Sequence, residues 1–277
     1  MTMNSINTNS QALIALQSLN TTNAQISVTQ KRVSTGYRVA DAKDDGGAFA
    51  VAQAVRSDVA GVIAVGEQLG GVKGILQTTF AALSVVSDTM KQVRAVLTRL
   101  ADGAISEDQR DTYEEQYELL AEQVESFVDD AFYNGRTLLS TDTANNGGDI
   151  TAIRNESGGT FTISAVDGAT LKLPLAAPTT AALATGWIVS GGDFDDVDKA
   201  ISTALNGFGS SMAFVDNQIK YNSQKVDAME GGLGALVDAD LAKESSSLEA
   251  LKVRQQLGVQ TLGLANQGPQ ILLGLFR

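Results

Sequence analysis

The sequence predicts a mainly α fold: a long helical hairpin or coiled-coil bundle formed by the N- and C-terminal segments, with a small β-hairpin region in the middle. Three observations predict it. Apolar residues recur at alternating spacings of four and three over long stretches at both ends of the chain. Only three prolines, Pro174, Pro178 and Pro269, occur in 277 residues, so nothing obstructs long helices between residues 1 and 140. Both ends are also nearly free of negative charge, although the net charge is −12. Residues 1–40 hold Lys31, Arg32 and Arg38 and no acid, while residues 245–277 hold Lys252, Arg254 and Arg277 against Glu249 alone. Such segments have an apolar face to bury and little charge to keep in water, so each needs a partner surface. The natural partners are each other and the same segments of neighbouring copies.

Taken in order, the first helix carries a stripe through Ala12, Leu16, Leu19, Asn23, Ile26, Gln30 and Val33. A second stripe runs Leu76, Phe80, Leu83, Ser87, Met90, Arg94, Leu97, and a third runs Tyr113, Tyr117, Leu120, Val124, Phe127, Ala131. Between them Asp102 and Gly103 turn the chain, and Ser106 before Glu107 and Asp108 reads as a cap followed by an acidic first turn. These two helices are expected to pair antiparallel. From Asn134 the character changes: glycines punctuate short β-type runs at Ile150 to Ile153, Thr160 to Ser164 and Thr170 to Leu173. After Gly191 and Gly192 another stripe runs Ile201, Leu205, Phe208, Met212, Val215, Ile219, Asn222, Val226, Met229. Gly231, Gly232 and Gly234 read as a hinge. A last helix carries Leu241, Leu248, Leu251, Gln255, Leu262 and Ala265 at near-heptad spacing and ends in apolar Ile271 to Phe276.

Composition excludes several classes of function. Without cysteine there is no disulfide or thiolate site, and without histidine the common general base and nitrogen ligand for zinc are missing. No catalytic, cofactor-binding or metal-binding residues are expected. A pI near 4.4 leaves no basic stripe for a row of phosphates, so nucleic acid is not an expected partner. Residues 1–21 lack a basic segment followed by a continuous apolar one, and no run of roughly 18 apolar residues is apparent, so neither a cleaved signal nor a membrane span is expected. The acidic cluster Asp193, Asp195, Asp196, Asp198 lacks the closing carboxylate of a calcium loop, because that position is Ala204. It reads as acid facing a helix dipole. Glu114-Glu115 and Asp129-Asp130 diverge around a helix and read as solvated surface rather than as paired acids for glycoside chemistry.

The most specific string is Arg32-Val-Ser-Thr-Gly-Tyr-Arg-Val-Ala-Asp-Ala-Lys-Asp-Asp45. Ile6-Asn-Thr-Asn9 lies upstream of it, Phe132-Tyr-Asn-Gly135 follows the third helix, and Asp238-Ala-Asp-Leu-Ala-Lys-Glu244 precedes Leu262-Gly-Leu-Ala-Asn-Gln-Gly-Pro-Gln270. In this order, over residues 1 to 140 and 195 to 277, these strings resemble bacterial flagellin, and the compact length is most similar to the short flagellins of alphaproteobacteria. The resemblance implies a structural subunit, not an enzyme, that polymerises into the helical flagellar filament for swimming. It would be extracellular in the flagellum and exported by the type III apparatus without a cleaved signal peptide. The implied partners are further copies of the chain, with or without paralogous flagellins, hook-associated junction and cap proteins, and a cytosolic export chaperone near Leu248 to Phe276; no membrane partner is implied.

The resemblance also implies a division of the chain. Residues 1–40 and 235–277 would form a discontinuous inner-tube coiled coil, 41–140 and 191–234 an outer-tube helical domain, and 141–190 a small exposed β-rich region. Asn7, Asn9, Leu16, Leu19, Ile26, Leu248, Leu251, Leu262, Asn266, Gln267, Leu272 and Leu275 would pack in the inner tube. Arg32, Ser34, Thr35, Gly36, Arg38, Asp41, Asp44 and Asp45 would form the spoke between layers. Ser157, Thr160, Thr162 and Ser164 are candidates for O-linked glycans. The chain departs from the family pattern at Asp44-Asp-Gly-Gly-Ala48 and at Gly232-Leu-Gly-Ala-Leu236, and Lys91 to Arg99 only partly resembles the patch an animal innate receptor recognises. The alternative is a hook-associated junction protein or another type III-secreted helical assembly protein. A flagellin with a metalloprotease insert would need histidines that the chain lacks.

Overall fold

A computed structural model gives the fold of residues 9–275, with side chains described except at 145 and from 268 onward. In chain order the elements are α1 (Ser10–Thr35), α2 (Gly46–Leu100), α3 (Glu107–Asp129), β1 (Ile150–Ile153), β2 (Thr160–Ile163), α4 (Ala181–Ile188), α5 (Asp193–Val237) and α6 (Leu241–Leu275). The mainly α class with one small antiparallel strand pair is the class the sequence predicts. Two compact units result, one of residues 1–57 with 228–277 and one of residues 58–227.

Helix boundaries follow from local chemistry. Ser106 caps α3 in a reciprocal box with Gln109, and Glu107 and Asp108 fill the first turn. Arg110 then reaches back to the carbonyls of Leu100 and Asp102, satisfying acceptors that the end of α2 leaves open. In the unit of residues 58–227, α2 buries Leu69, Leu76, Leu83, Met90 and Leu97, with Thr79, Val86 and Val93 between them. Tyr117, Val124 and Val128 of α3 and Phe194, Ile201, Phe208 and Val215 of α5 belong to the same core. Tyr117 is fully buried, stands 5.6 Å from the Trp187 ring and donates its hydroxyl to the Pro174 carbonyl at 2.8 Å.

The strands pair with Ile150 opposite Ile163 and Ile153 opposite Thr160. Ile150, Ala152 and Ile163 point into the core, while Thr151 and Thr162 face outward. The loop between the strands is tied to α5: the Arg154 carbonyl accepts from Gln218 and Asn222, and Glu156 pairs with Lys225. Phe161 stacks on Phe214 at 4.1 Å.

Four sequence expectations change. Thr170 to Leu173 is not a strand; Asp167 caps a 3-10 turn over Gly168–Leu171. Gly231, Gly232 and Gly234 form no hinge, since α5 continues to Val237. Each helical glycine costs roughly 1 kcal/mol relative to alanine, and the packing of Leu233 and Val237 against Val39, Ala52 and Phe49 offsets it. The short helix α4, capped by Thr180, was not anticipated. Finally, α2 does contain a window of mean hydropathy 1.5, long and apolar enough to cross a membrane by length and composition, and 17% of that window is buried within the chain. Alanine, valine and glycine, spread among scattered polar residues, make the window apolar without forming an obvious continuous run.

Candidate functional site

The terminal helices α1 and α6 run antiparallel along one seam. Their half-buried or buried positions are Ala12, Ala15, Leu19, Thr22, Ile26, Thr29 and Val33 on α1, and Leu248, Leu251, Gln255, Gly258, Leu262 and Ala265 on α6. Both sets alternate by three and four, as a two-stranded coiled coil requires. Polar contacts fix the register. Asn9 caps α1 by accepting from the Ala12 amide at 3.1 Å, and its side-chain nitrogen donates to the Ala265 carbonyl at 2.8 Å. Gln255 donates to Asn23 at 2.7 Å. At the other end Arg32 meets Glu244 at 3.1 Å. Leu19 lies over Gly258, where an added Cβ would come within 3.3 Å of its Cδ1. Glycine opens a notch that lets the helices approach there.

Beyond the seam the two connections form a joint. Gly36, at φ 76°, ends α1 in the left-handed conformation, and its amide donates to the Arg32 carbonyl. The following residues run extended against the end of α5. Arg38 and Val39 amides donate to the Val237 carbonyl at 2.7 and 3.2 Å, and the Ala239 amide donates to Gly36 at 2.9 Å. The Arg38 guanidinium donates to the Leu236 carbonyl. Val39, Ala52 and Val237 are buried together beneath these bonds. Lys31 lies 2.8 Å from Asp41 and 2.7 Å from Asp44. The Lys31 ammonium holds both carboxyls below the usual aspartate range, and their hydrogen bonds raise its own pKa. Asp44 also accepts from the Ala40 and Asp41 amides, Asp45 caps α2, and Asp240 accepts from the Ala242 and Lys243 amides to start α6.

Of the residues singled out for the inner tube, Asn9, Leu19, Ile26, Leu248, Leu251 and Leu262 lie on the seam. Leu16 is 42% exposed, away from the seam, and Asn266 and Gln267 are exposed. Asn7 lies outside the described residues, as do the side chains of Leu272 and Leu275. Of the spoke residues, Arg32, Gly36, Arg38, Asp41, Asp44 and Asp45 meet in the joint; Thr35 bonds back to the Lys31 carbonyl and Ser34 is exposed. Sequence reasoning missed Lys31, Val39 and Glu244. A lysine ten residues before one aspartate and thirteen before another was the available signal for the first. The acidic residues at the start of α5 are engaged locally: Asp195 accepts from the Gly191 amide and pairs with Lys199, and Asp198 pairs with Arg94.

A set of apolar side chains on the terminal pair faces outward. Leu13, Ile14, Leu16 and Val28 of α1 and Val253, Leu257, Val259 and Leu264 of α6 are 42% to 67% exposed. Exposed aliphatics at this density on two paired helices exceed the singly scattered apolar residues of an ordinary protein surface. Ser157, Thr160, Thr162 and Ser164 are all exposed on or beside the hairpin.

Comparison with known proteins gives a consistent result. Residues 6–144 match the bacterial flagellin N-terminal helical region, and residues 194–276 match the bacterial flagellin C-terminal helical region. A flagellin of Brucella melitensis is 36% identical over 291 residues, with 99% of this chain and 100% of that protein covered. The flagellin FljK of Caulobacter vibrioides is 32% identical over 280 residues, covering 100% of both chains. Among solved structures, a putative flagellar hook-associated protein from Vibrio parahaemolyticus shares the fold at TM-score 0.54 and 13% identity, covering 70% of this chain and 100% of that one.

Proposed function

The chain belongs to the bacterial flagellin family and is a structural, non-enzymatic subunit of the extracellular flagellar filament; from that premise we propose how its parts divide the work of assembly. Residues 1–40 and 235–277 line an inner tube, 41–140 and 191–234 form the outer helical layer, and 141–190 are exposed outside it. The joint around Arg32, Gly36, Arg38, Asp41, Asp44 and Asp45 is the spoke between them.

The observation that carries this reading is the outward apolar set on α1 and α6. Taking a large aliphatic side chain from full exposure to burial yields about 1.5–3 kcal/mol. Residues that start between 42% and 67% exposed gain a corresponding share when neighbouring copies cover them. The apolar window of α2, only 17% buried within one chain, supports the same use in the outer layer. Copies that meet through different faces, without closing a ring, propagate a helix. Export without a cleaved signal, capture by a cytosolic chaperone near Leu248 to Phe276, contacts with hook-associated junction and cap proteins, and O-linked glycans at Ser157, Thr160, Thr162 or Ser164 belong to the same proposal.

The test is a truncation. Removing residues 1–20 deletes Leu13, Ile14, Leu16 and Leu19 and is expected to leave a folded monomer that does not polymerise on filament seeds, read by sedimentation and negative-stain microscopy. Normal filaments from that truncation would overturn the assignment.

A further inference from the structure

The chain contains three Asn-Gly dipeptides, Asn134-Gly135, Asn146-Gly147 and Asn206-Gly207, and the fold treats them differently. Glycine after asparagine leaves the backbone nitrogen least hindered for attack on the side-chain carboxamide, because no Cβ stands beside it. Attack also requires that this N–H be free of a hydrogen bond and that the asparagine side chain can swing over it.

Two of the three are held back. Gly207 lies inside α5, so its N–H is committed to the helical ladder. Gly147 is buried, and its amide donates to the Asp142 carbonyl at 2.9 Å. An added Cβ there would stand 2.4 Å from the Ser140 carbonyl oxygen, so the backbone is walled in as well. Asn134 and Gly135 differ on each count. Both are exposed, with φ 49° and 75°, and form the centre of a two-residue turn closed by reciprocal Tyr133–Arg136 bonds of 2.9 and 3.0 Å. Among the described residues, no hydrogen bond uses the Gly135 N–H or the Asn134 carboxamide. The bridge is isolated rather than part of a longer ladder, so opening it costs little.

We propose that Asn134 is a site of spontaneous deamidation selected by this turn. The Gly135 nitrogen attacks Asn134 Cγ and a new N–Cγ bond closes a succinimide. The Cγ–Nδ2 bond breaks, and the side-chain nitrogen leaves as ammonia with the proton displaced from the glycine nitrogen. Water then opens the ring at either carbonyl. Opening at the side-chain carbonyl gives aspartate; opening at the main-chain carbonyl gives an isoaspartyl linkage. Water is consumed, ammonia is released, and no oxidant or reductant is needed.

The product matters to the packing below it. Tyr133 stands directly over Gly74 of α2, where an added Cβ would meet its ring at 2.6 Å. An isoaspartyl linkage lengthens the main chain inside a two-residue turn, so the Tyr133–Arg136 pairing and the seating of that ring are both lost.

Trypsin separates the three sites into peptides 111–136, 137–154 and 200–220. Purified full-length chain is held in warm, mildly alkaline buffer, and each peptide is followed for the mass change of an amide replaced by an acid and for isoaspartyl methyl acceptance. Peptide 111–136 is expected to convert at least about tenfold faster than the others, the factor that about 1.4 kcal/mol of local opening imposes. In urea the three rates should converge. Equal rates in the native chain, faster loss from 137–154, or the same ranking in urea would overturn the proposal. Asn134→Gln should abolish the change in 111–136 and leave the other two peptides as before. Persistence of the change in that peptide would place it elsewhere and overturn the assignment.

Discussion

Replacing Gly258 tests the terminal seam at its narrowest layer, and two substitutions there should act in opposite directions. An alanine Cβ would lie 3.3 Å from Leu19 Cδ1, closer than ordinary contact but against the tip of a half-buried side chain that can yield a few tenths of an ångström. Alanine also removes the cost of glycine in a helix, roughly 1 kcal/mol. Gly258→Ala should therefore be neutral or slightly stabilising to α6. Gly258→Leu adds three further carbons where Leu19 already sits, and overpacking of that kind costs about 1–3 kcal/mol and separates the helices. Circular dichroism melts of the monomer measure the first effect, and seeded polymerisation followed by sedimentation measures the second. Gly258→Leu should slow or stop growth, and Leu19→Ala in the same chain should restore part of it, giving a non-additive double-mutant cycle. If Gly258→Leu polymerises like the parent, or if Leu19→Ala adds its own defect without any rescue, the notch does not govern the seam.

Two further outcomes follow from the unit of residues 58–227. Tyr117→Phe removes the hydroxyl that donates to Pro174 from a fully buried ring, leaving a carbonyl without its donor. A loss of about 1–3 kcal/mol is expected in denaturant unfolding monitored through the adjacent Trp187. The Lys225 ammonium holds the Glu156 carboxyl below its ordinary 4.5, and that carboxylate raises the lysine above 10.5. A lowered acid stabilises the fold above 4.5, and its contribution is lost as pH falls through the folded value; a raised base contributes below 10.5 and is lost above it. Stability should thus fall below pH 4.5 with a smaller slope in Lys225→Met than in the parent, as read by acid titration of the melting temperature.

How far the sequence reveals the fold is clearest in the helical stripes. Every seventh position, Ala12, Leu19, Ile26 and Val33, is legible and lies on the seam. The intervening positions are not. The sequence points to Leu16, Asn23 and Gln30, which are exposed, Asn23 reaching α6 through the bond from Gln255, whereas the half-buried and buried positions of the seam are Ala15, Thr22 and Thr29. In α2 the same offset separates Phe80, Ser87 and Arg94 from the buried Thr79, Val86 and Val93. A four-three and a three-four stripe share every seventh residue, so only the intermediate ones decide the phase. Large apolar side chains draw the reading toward Leu16 and Phe80. Threonine hides its aptitude for a seam because its hydroxyl is satisfied within the helix: Thr22 donates to Ser18 and Thr79 to Ile75, each at 2.9 Å. What remains is a small β-branched side chain suited to a close approach. The joint was legible as a string but not as a set of pairings, because Arg32 and Glu244 lie 212 residues apart and no local rule couples them.

The bond between Ala239 and Gly36 sets where the terminal helices begin to meet. Because α1 leaves and α6 starts at one stapled point, each helix finds its own mate at the high effective concentration of a short tether, while a mate offered by another molecule must compete from solution. Crossed pairing between molecules is thereby disfavoured in dilute protein, and the faces pointing away from the tether are left available for strangers.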